Sequence, residues 1–389
     1  MEKVIITKHQ GKIILMHLDD NLTKDIDVYD SREKSILGNI YVGRVRDIAK
    51  GINGAFVEIE PGLPCYLSLN DDKIIFLNPK KNNEVCRGDL LLVQVKREAT
   101  SGKAPLVSCH IDLESKYAAL SSDSERLCGV SRKITDPAKI EELKNIAKPY
   151  ITDDYGFVIR TEAINATKED IENELKMLAA KYICLIDAAR TRTAFTLIRK
   201  GTPKLLMDIN SYKLDNGSEI VTDIKEIYDE LVSYGFNFPV RMYDDEISLY
   251  RFYRVQTRLE EALDKKVWLK NGGYLYIEST QALTAIDVNT GKNSANGIEK
   301  EETFLKCNLE AVYEIARQLR LRGISGMIIV DFVNMKSEKS RERVAKELKN
   351  VLAQDPGKAT FVDFTKLGLA EITRKRIKKT LFEVLREKQ

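Results

Sequence analysis

Asp287 closes the apolar run Leu283-Thr284-Ala285-Ile286, and Asp331 closes Met327-Ile328-Ile329-Val330. Each is a carboxylate at the end of a strand-like segment. A carboxylate buried there without a partner is costly, so it calls for a cation or strong hydrogen bonds. Asn289 follows Asp287 by two residues, and strand alternation puts both on one face. Two carboxylates and an amide oxygen form a hard, all-oxygen donor set of the kind Mg²⁺ or Mn²⁺ accepts. Such an ion can activate water and neutralise a phosphate in phosphodiester hydrolysis. The competing reading is that each aspartate pairs with a nearby arginine, and spacing alone leaves both open. The acidic pairs Asp19-Asp20, Asp71-Asp72, Asp153-Asp154 and Asp244-Asp245 read as loop or cap residues.

Other chemistries have less support. The three histidines, His9, His17 and His110, argue against a histidine pair or a multi-histidine metal site. The six cysteines come no closer than Cys109 and Cys128, and no C-x-x-C occurs, so neither a zinc knuckle nor a redox pair is present. Scattered cysteines in 389 residues fit reduced core thiols in a cytoplasmic protein. Neither G-x-x-x-x-G-K-[ST] nor G-x-G-x-x-G appears, which disfavours a nucleotide-triphosphate enzyme. The formal charge of +3 is too small to imply a nucleic-acid binder, so only local charge can. MEKVIITKHQ lacks the apolar stretch of a signal peptide, and no run is long enough to span a membrane.

The elements that must position these residues follow from periodicity. VIIT, KIILMHL and DIDVY alternate as short antiparallel strands. NIYVGRVRDI, GAFVEIE, PCYLSL, DLLLVQVKREA and APLVSCHIDL are five further strand-like runs separated by turn residues, the pattern of a small OB-type barrel. This segment carries Tyr41, Arg44, Arg46, Phe56, Tyr66, Lys96, Arg97 and Lys103, aromatics and cations of the kind that stack bases and track phosphates. Phe56 fits a core position equally well. Beyond Asp112 a mixed strand–helix stretch is expected. Asp136-Pro137 opens a helix through Ala147, GFVIRT is a strand, and Thr167-x-x-Asp170 opens a helix to about Lys181. ICLID and AFTLIRK read as strands, and SEIVTDIKEIYDELVSYG contains a helix. GGYLYIE, ALTAIDVN and GMIIVDFVN then read as strands. A helix from about Glu302 to Arg322 separates the last two, with Leu305, Leu309, Val312, Ala316 and Leu319 on its apolar face. Helices are expected over Ser337–Ala353 and in the tail from Leu369. Residues 372–389 hold seven Lys/Arg and two Glu, a basic run that can face RNA or simply solvate a helix.

Together, ALTAIDVNTG (282–291), EIARQLRLRGISGMIIVDFVNM (314–335) and KLGLAEITRKR (366–376), with GNIYVGRVRDI, GAFVEI and GFVIRT, resemble the ribonuclease E/G family along the whole chain. The resemblance implies an α+β multidomain protein. Its parts would be an RNase H-like unit from residues 1–35 and 200–262, an OB-type barrel at 36–113 inserted in a 5′-sensor region at 114–199, and a DNase I-like α/β catalytic unit at 263–389. It implies an Mg²⁺-dependent endoribonuclease cleaving single-stranded RNA in messenger RNA decay and ribosomal and transfer RNA processing, leaving 5′-phosphate and 3′-hydroxyl ends. Asp287 and Asp331 match the family's metal-binding catalytic aspartates and Asn289 the amide beside them. Phe56, Tyr66, Arg97 and Lys103 match its RNA-binding barrel, where Tyr66 stands for a usual Phe. Arg160 and Thr161 match its pocket for a 5′-monophosphate, where Lys358 replaces an arginine. The family's C-P-x-C zinc-binding link has no counterpart up to Gln389. No structural zinc is therefore expected, and a homodimer would form without a zinc link. The alternatives are a non-catalytic RNA-binding protein and a metal-dependent nuclease acting mainly on DNA.

Overall fold

The computed structural model describes residues 1–30, 35–70, 73–80, 82, 84–99, 103–123, 128–131, 133–212, 214, 217–236, 238–291 and 298–386. The pair Asp71-Asp72 lies outside the described residues. In chain order the strands begin with β1 (Glu2–His9), β2 (Lys12–Asp19) and β3 (Leu22–Asp30), and continue with β4 (Ile40–Ala49), β5 (Gly54–Glu60), β6 (Leu63–Ser68), β7 (Leu90–Arg97) and β8 (Leu106–Ser108). Next come β9 (Asp112–Glu114), β10 (Ala118–Ser121), β11 (Cys128–Val130), α1 (Pro137–Ala147), β12 (Gly156–Ile159), α2 (Lys168–Arg190), β13 (Leu197–Arg199) and α3 (Lys204–Ser211). The remainder is β14 (Glu219–Thr222), α4 (Lys225–Tyr234), β15 (Val240–Met242), α5 (Leu249–Phe252), α6 (Val255–Leu263), β16 (Lys266–Trp268), β17 (Tyr274–Ser279), β18 (Leu283–Asn289), α7 (Ile298–Leu321), β19 (Gly326–Asp331), α8 (Glu338–Leu352), β20 (Thr360–Phe364), β21 (Ala370–Arg374) and α9 (Leu381–Arg386). They form two compact units, Lys34–Met207 and the remainder, Met1–Glu33 with Asp208–Gln389.

In the unit Lys34–Met207, strands β4, β5, β6, β8 and β7 follow one another, and β4 pairs with β7 to close a five-stranded barrel. The closed barrel is consistent with the OB type. Its strands alternate, with Ala55, Val57 and Ile59 of β5 and Cys65 and Leu67 of β6 inside. APLVSCHIDL is two strands rather than one: β8 completes the barrel, and β9 starts a second sheet of order β11-β12-β10-β9. Helix α1 begins as expected, with the Asp136 carboxylate accepting from the Ala138 N–H. Helix α2 opens on the full Thr167/Asp170 capping box. It does not stop near Lys181, and ICLID is helix rather than strand. Ile171, Leu175, Leu178, Tyr182 and Ala189 are all buried on one side. That helical period continues through the β-branched run and overrides its local strand preference.

In the other unit, β1 pairs antiparallel with β2 and parallel with β14, giving a sheet of order β15-β14-β1-β2-β3. A second sheet has order β16-β17-β18-β19-β21-β20. Helix α7 connects the parallel neighbours β18 and β19 and buries Ala311, Val312, Ile315, Ala316 and Leu319 in the same core as Ile286, Val288, Ile328 and Val330. The expected apolar face is present, with Leu305 and Leu309 partly buried against that core.

The tail corrects the expectation most. Residues 370–374 are a strand, with Ala370, Ile372 and Arg374 buried in alternation, and among the described residues of the tail only Leu381–Arg386 is helical. Nor is all of the basic run exposed to solvent, although Lys375, Arg376 and Lys379 are. The Arg374 guanidinium is buried and holds the equally buried Asp355 carboxylate at 2.8 and 3.2 Å. Lys378 reaches Asp25 at 3.1 Å and Asp27 at 2.7 Å, and Arg376 reaches Glu383 at 2.8 Å. Burial, with Asp27 nearby, pushes Asp25 up to about 6 despite Lys378. Tyr29 and Tyr212 pack into the same cluster, where burial raises both phenols. No helix among the described residues is long and apolar enough to cross a membrane.

Two expectations follow. Asp355→Asn leaves the Arg374 charge buried without its counter-ion and should cost ~3–5 kcal/mol, read as a lower urea midpoint at unchanged slope. A loss under ~1 kcal/mol would mean that Arg374 finds another partner. The raised Asp25 group binds its proton more tightly in the folded chain than in the unfolded one. Its contribution is therefore fully present below the ordinary value of 3.8 and is lost as pH rises through about 6. The unfolding free energy of wild type relative to Asp25→Asn should fall across that window and level off above it. A difference that stays constant with pH would show an unperturbed carboxyl.

Candidate active site

Strand β18 reads Leu-Thr-Ala-Ile-Asp-Val-Asn; Thr284, Ile286 and Val288 are buried, and Ala285, Asp287 and Asn289 take the other face. On β19, Ile328 and Val330 are buried, which leaves Asp331 on that same outer face. The two strands run parallel with Asp287 directly beside Asp331. Neighbouring strands lie ~4.8 Å apart, so the carboxylates are immediate neighbours. Both are exposed, which removes the burial premise of the sequence argument. Among the described residues neither makes an ion pair, so arginine pairing does not account for them. The Asn289 amide donates to Asp287 Oδ2 at 2.7 Å. No group of three or more His, Cys, Asp and Glu that could hold a metal occurs among the described residues. The donor chemistry here is instead two carboxylates and an amide, a set that suits a hard cation which keeps part of its own water shell.

Two supports of this seam escaped the sequence reading. Asn308 of α7 is fully buried; its amide donates to the Val333 carbonyl at 2.8 Å, and its oxygen accepts the Val333 N–H at 3.0 Å. That two-point clamp fixes the chain just past Asp331. Its signal in the sequence is an amide in phase with the apolar face of the helix. Gly273 lies against the next strand, where a Cβ would meet the Asn289 carbonyl at 2.6 Å. Nor did periodicity single out the outer face beside Asp287. Tyr274 and Tyr276 alternate with the buried Leu275 and Ile277, which puts both tyrosines on the aspartate side. Lys266 and Trp268 flank them on β16.

On the barrel, Phe56 and Tyr66 are register partners on β5 and β6, their ring centroids 6.2 Å apart at 69°. Both are half-buried and point away from the barrel interior, so Phe56 is not core. Gly54 makes room for Tyr66, since a Cβ there would meet the ring at 2.3 Å. Tyr66 pairs with Leu106, and Leu106 pairs with Arg97, which completes a cross-strand row Phe56–Tyr66–Leu106–Arg97. Lys103 is exposed two residues before Pro105, whose carbonyl accepts the Tyr66 N–H. Tyr41 belongs to the core instead, Lys96 is held by Asp112 at 2.7 Å, and Arg46 faces Glu58 at 3.2 Å.

Arg160 caps a short 3₁₀ turn, Thr161–Asn165. Its guanidinium donates to the Ser115 carbonyl at 3.1 Å and faces the Glu114 carboxylate at 3.4 Å. Adjacent Thr161 shares a 3.0 Å hydrogen bond with Ser131. Lys358 belongs to the other unit, exposed in the turn between α8 and β20 with φ of 52°. All six cysteines are free, and burial pushes the Cys65 thiol up to about 12.

The structure thus defines an α+β chain with a closed five-stranded barrel and a carboxylate pair at a parallel strand seam. Residues 112–377 match the Ribonuclease E/G family. Ribonuclease G of Salmonella typhimurium is 30% identical over 95% of this chain and 78% of its own length. Ribonuclease G of Haemophilus influenzae is 30% identical over 98% of this chain and 80% of its own. Ribonuclease E of the same organism is 27% identical, and the chain spans 42% of that relative's length. The chain belongs to the ribonuclease E/G family.

One expectation concerns the seam alone. Like charges side by side on neighbouring strands destabilise a sheet. In the presence of a chelator, Asp331→Asn should therefore unfold at slightly higher denaturant, by ~0.2–1 kcal/mol. A destabilised variant would mean that the Asp331 charge has a partner within the fold.

Proposed function

We propose that this chain is a metal-dependent endoribonuclease that cuts single-stranded RNA at the Asp287/Asp331 seam. One observation carries the reading: in a ribonuclease E/G family chain, two exposed carboxylates stand in register on adjacent strands without an ion-pair partner among the described residues. Asp287 and Asp331 would hold the ion, and the Asn289 amide fixes the rotation of the Asp287 carboxylate. A bound Mg²⁺, or Mn²⁺ in its place, would supply an acidified water and positive charge at the scissile phosphate.

The other residues have roles consistent with this reading. Phe56 and Tyr66 offer ring faces for bases, while Arg97 and Lys103 offer charge for phosphates. Arg160 brings a planar fork and Thr161 a hydroxyl to a 5′-monophosphate, which would have to displace Glu114. In the same reading, cleavage leaves 5′-phosphate and 3′-hydroxyl ends and serves messenger RNA decay and ribosomal and transfer RNA maturation in the cytoplasm. The sheet bearing Asp287 acts as the DNase I-like catalytic unit, and residues 1–35 with 200–262 as the RNase H-like unit.

The test is cleavage of matched RNA and DNA oligonucleotides with and without Mg²⁺. Wild type should cut the single-stranded RNA only with the metal. Asp287→Asn and Asp331→Asn should each lose more than a hundredfold in rate, ~3 kcal/mol of transition-state stabilisation, while still binding RNA. Near-wild-type cleavage by either variant removes the site assignment, and preferential cutting of DNA replaces the substrate.

A further inference from the structure

Asp287 and Asp331 share their open face with an unusual group of side chains. Register places Lys266, Tyr276, Asp287 and Asp331 in one cross-strand row, and Trp268, Tyr274 and Asn289 in the next. Burial alternates along these strands, with Val267, Leu275, Ile277, Ile286 and Val288 forming the inner face. The aromatics are therefore on the aspartate side. Trp268 is 64% exposed and Tyr276 40%. An exposed aromatic patch of this kind is uncommon away from a binding surface. Trp268 and Tyr274 meet edge to face, with centroids 5.5 Å apart. The Lys266 ammonium sits 4.0 Å from the Trp268 ring centroid and 4.1 Å from that of Tyr274. It makes no ion pair with a carboxylate among the described residues.

We propose that Trp268, Tyr274 and Tyr276, with Lys266 among them, form a nucleotide subsite that stacks a base of the single-stranded RNA next to the scissile phosphate. This rests on the endoribonuclease reading and extends it from the carboxylates to what holds the substrate beside them. Tyr276 is one strand from Asp287, and Trp268 is two strands from Asn289, or ~5 and ~10 Å across the sheet. A chain whose phosphate lies at the carboxylate pair therefore has its neighbouring base over these rings. Such stacking selects little by sequence, because every base has a π face. Lys266 is orientated by cation–π contact with two rings and presents positive charge to the adjoining phosphate. The carboxylates repel that phosphate in the absence of metal, so a cation one strand beyond Tyr276 offsets them at the place where the backbone leaves the site.

Trp268 is the chain's single tryptophan, so its emission reports on this subsite alone. The full chain is titrated in a chelator with a short single-stranded oligoribonucleotide, with binding followed independently by anisotropy of a label on the RNA. Tryptophan emission should be quenched along the same binding curve. Trp268→Ala should bind roughly 5- to 150-fold more weakly, the equivalent of ~1–3 kcal/mol. With metal it should raise KM by more than it lowers kcat, and Trp268→Phe should restore most of the binding. Trp268 lies on the outer face, so both variants are expected to keep the wild-type circular dichroism. Wild type that binds and cuts RNA with unchanged tryptophan emission, together with Trp268→Ala of unaltered affinity and KM, overturns the subsite and leaves the endoribonuclease reading intact. Wild type that neither binds nor cuts RNA overturns both.

Discussion

Everything proposed for this chain depends on the parallel pairing of β18 with β19. Antiparallel strands can be joined by a tight turn, but parallel neighbours need a crossover of a dozen residues or more. That requirement is met by α7, whose buried face packs on Ile286, Val288, Ile328 and Val330. Because both strands then end at the same edge, a carboxylate at each end becomes a pair. The Asn308 clamp and the bare Gly273 backbone maintain the two flanks of that edge. At the far end of β21, Arg374 is locked to Asp355, so the neighbour of β19 is anchored from inside the core.

Much of this was legible because it is written in short-range periodicity. The alternation of LTAIDVN and MIIVD gave the faces, and the helical spacing of the segment between them gave the crossover. The cap residues before α1 and α2 were equally plain. Phe56 was ambiguous because a half-buried outward ring and a core ring look alike in one strand. Only the identity of its neighbours, Tyr66 across the register and Val57 inside, decides. ICLID reads as a strand locally because of its two isoleucines, and only the longer period from Ile171 to Ala189 reveals the helix. The tail misleads for a different reason: a run of lysines and arginines reads as solvated, and nothing local shows that Asp355, Asp25 and Asp27 come from afar to meet it.

Charge is consequently used in two ways. Arg374 and Lys378 of the tail are used inside the unit, where they tie the last strand and the segment before α9 to distant carboxylates. Arg97 and Lys103 are exposed, Lys266 sits against the Trp268 and Tyr274 rings, and none of the three pairs with a carboxylate among the described residues. A count of Lys and Arg along the sequence cannot separate the two. The useful signal is alternation, because a cation in phase with buried neighbours, as Arg374 is, belongs to the core.

The pairing of β1 with β14 has a consequence for how the protein is made. Lys3 lies beside Glu219, yet the whole of Lys34–Met207 is synthesised between them. As the chain leaves the ribosome, β1, β2 and β3 can meet at once, but the free edge of β1 must wait for its partner. During that interval β1, already paired with β2 on one side, leaves its other edge open along Val4, Ile5 and Ile6, the kind of edge that recruits other chains. The intervening unit has its own cores and can fold meanwhile. The β1 edge is thus completed only after the Lys34–Met207 unit has been made, and it is where a ribosome-bound chaperone would have most to shield.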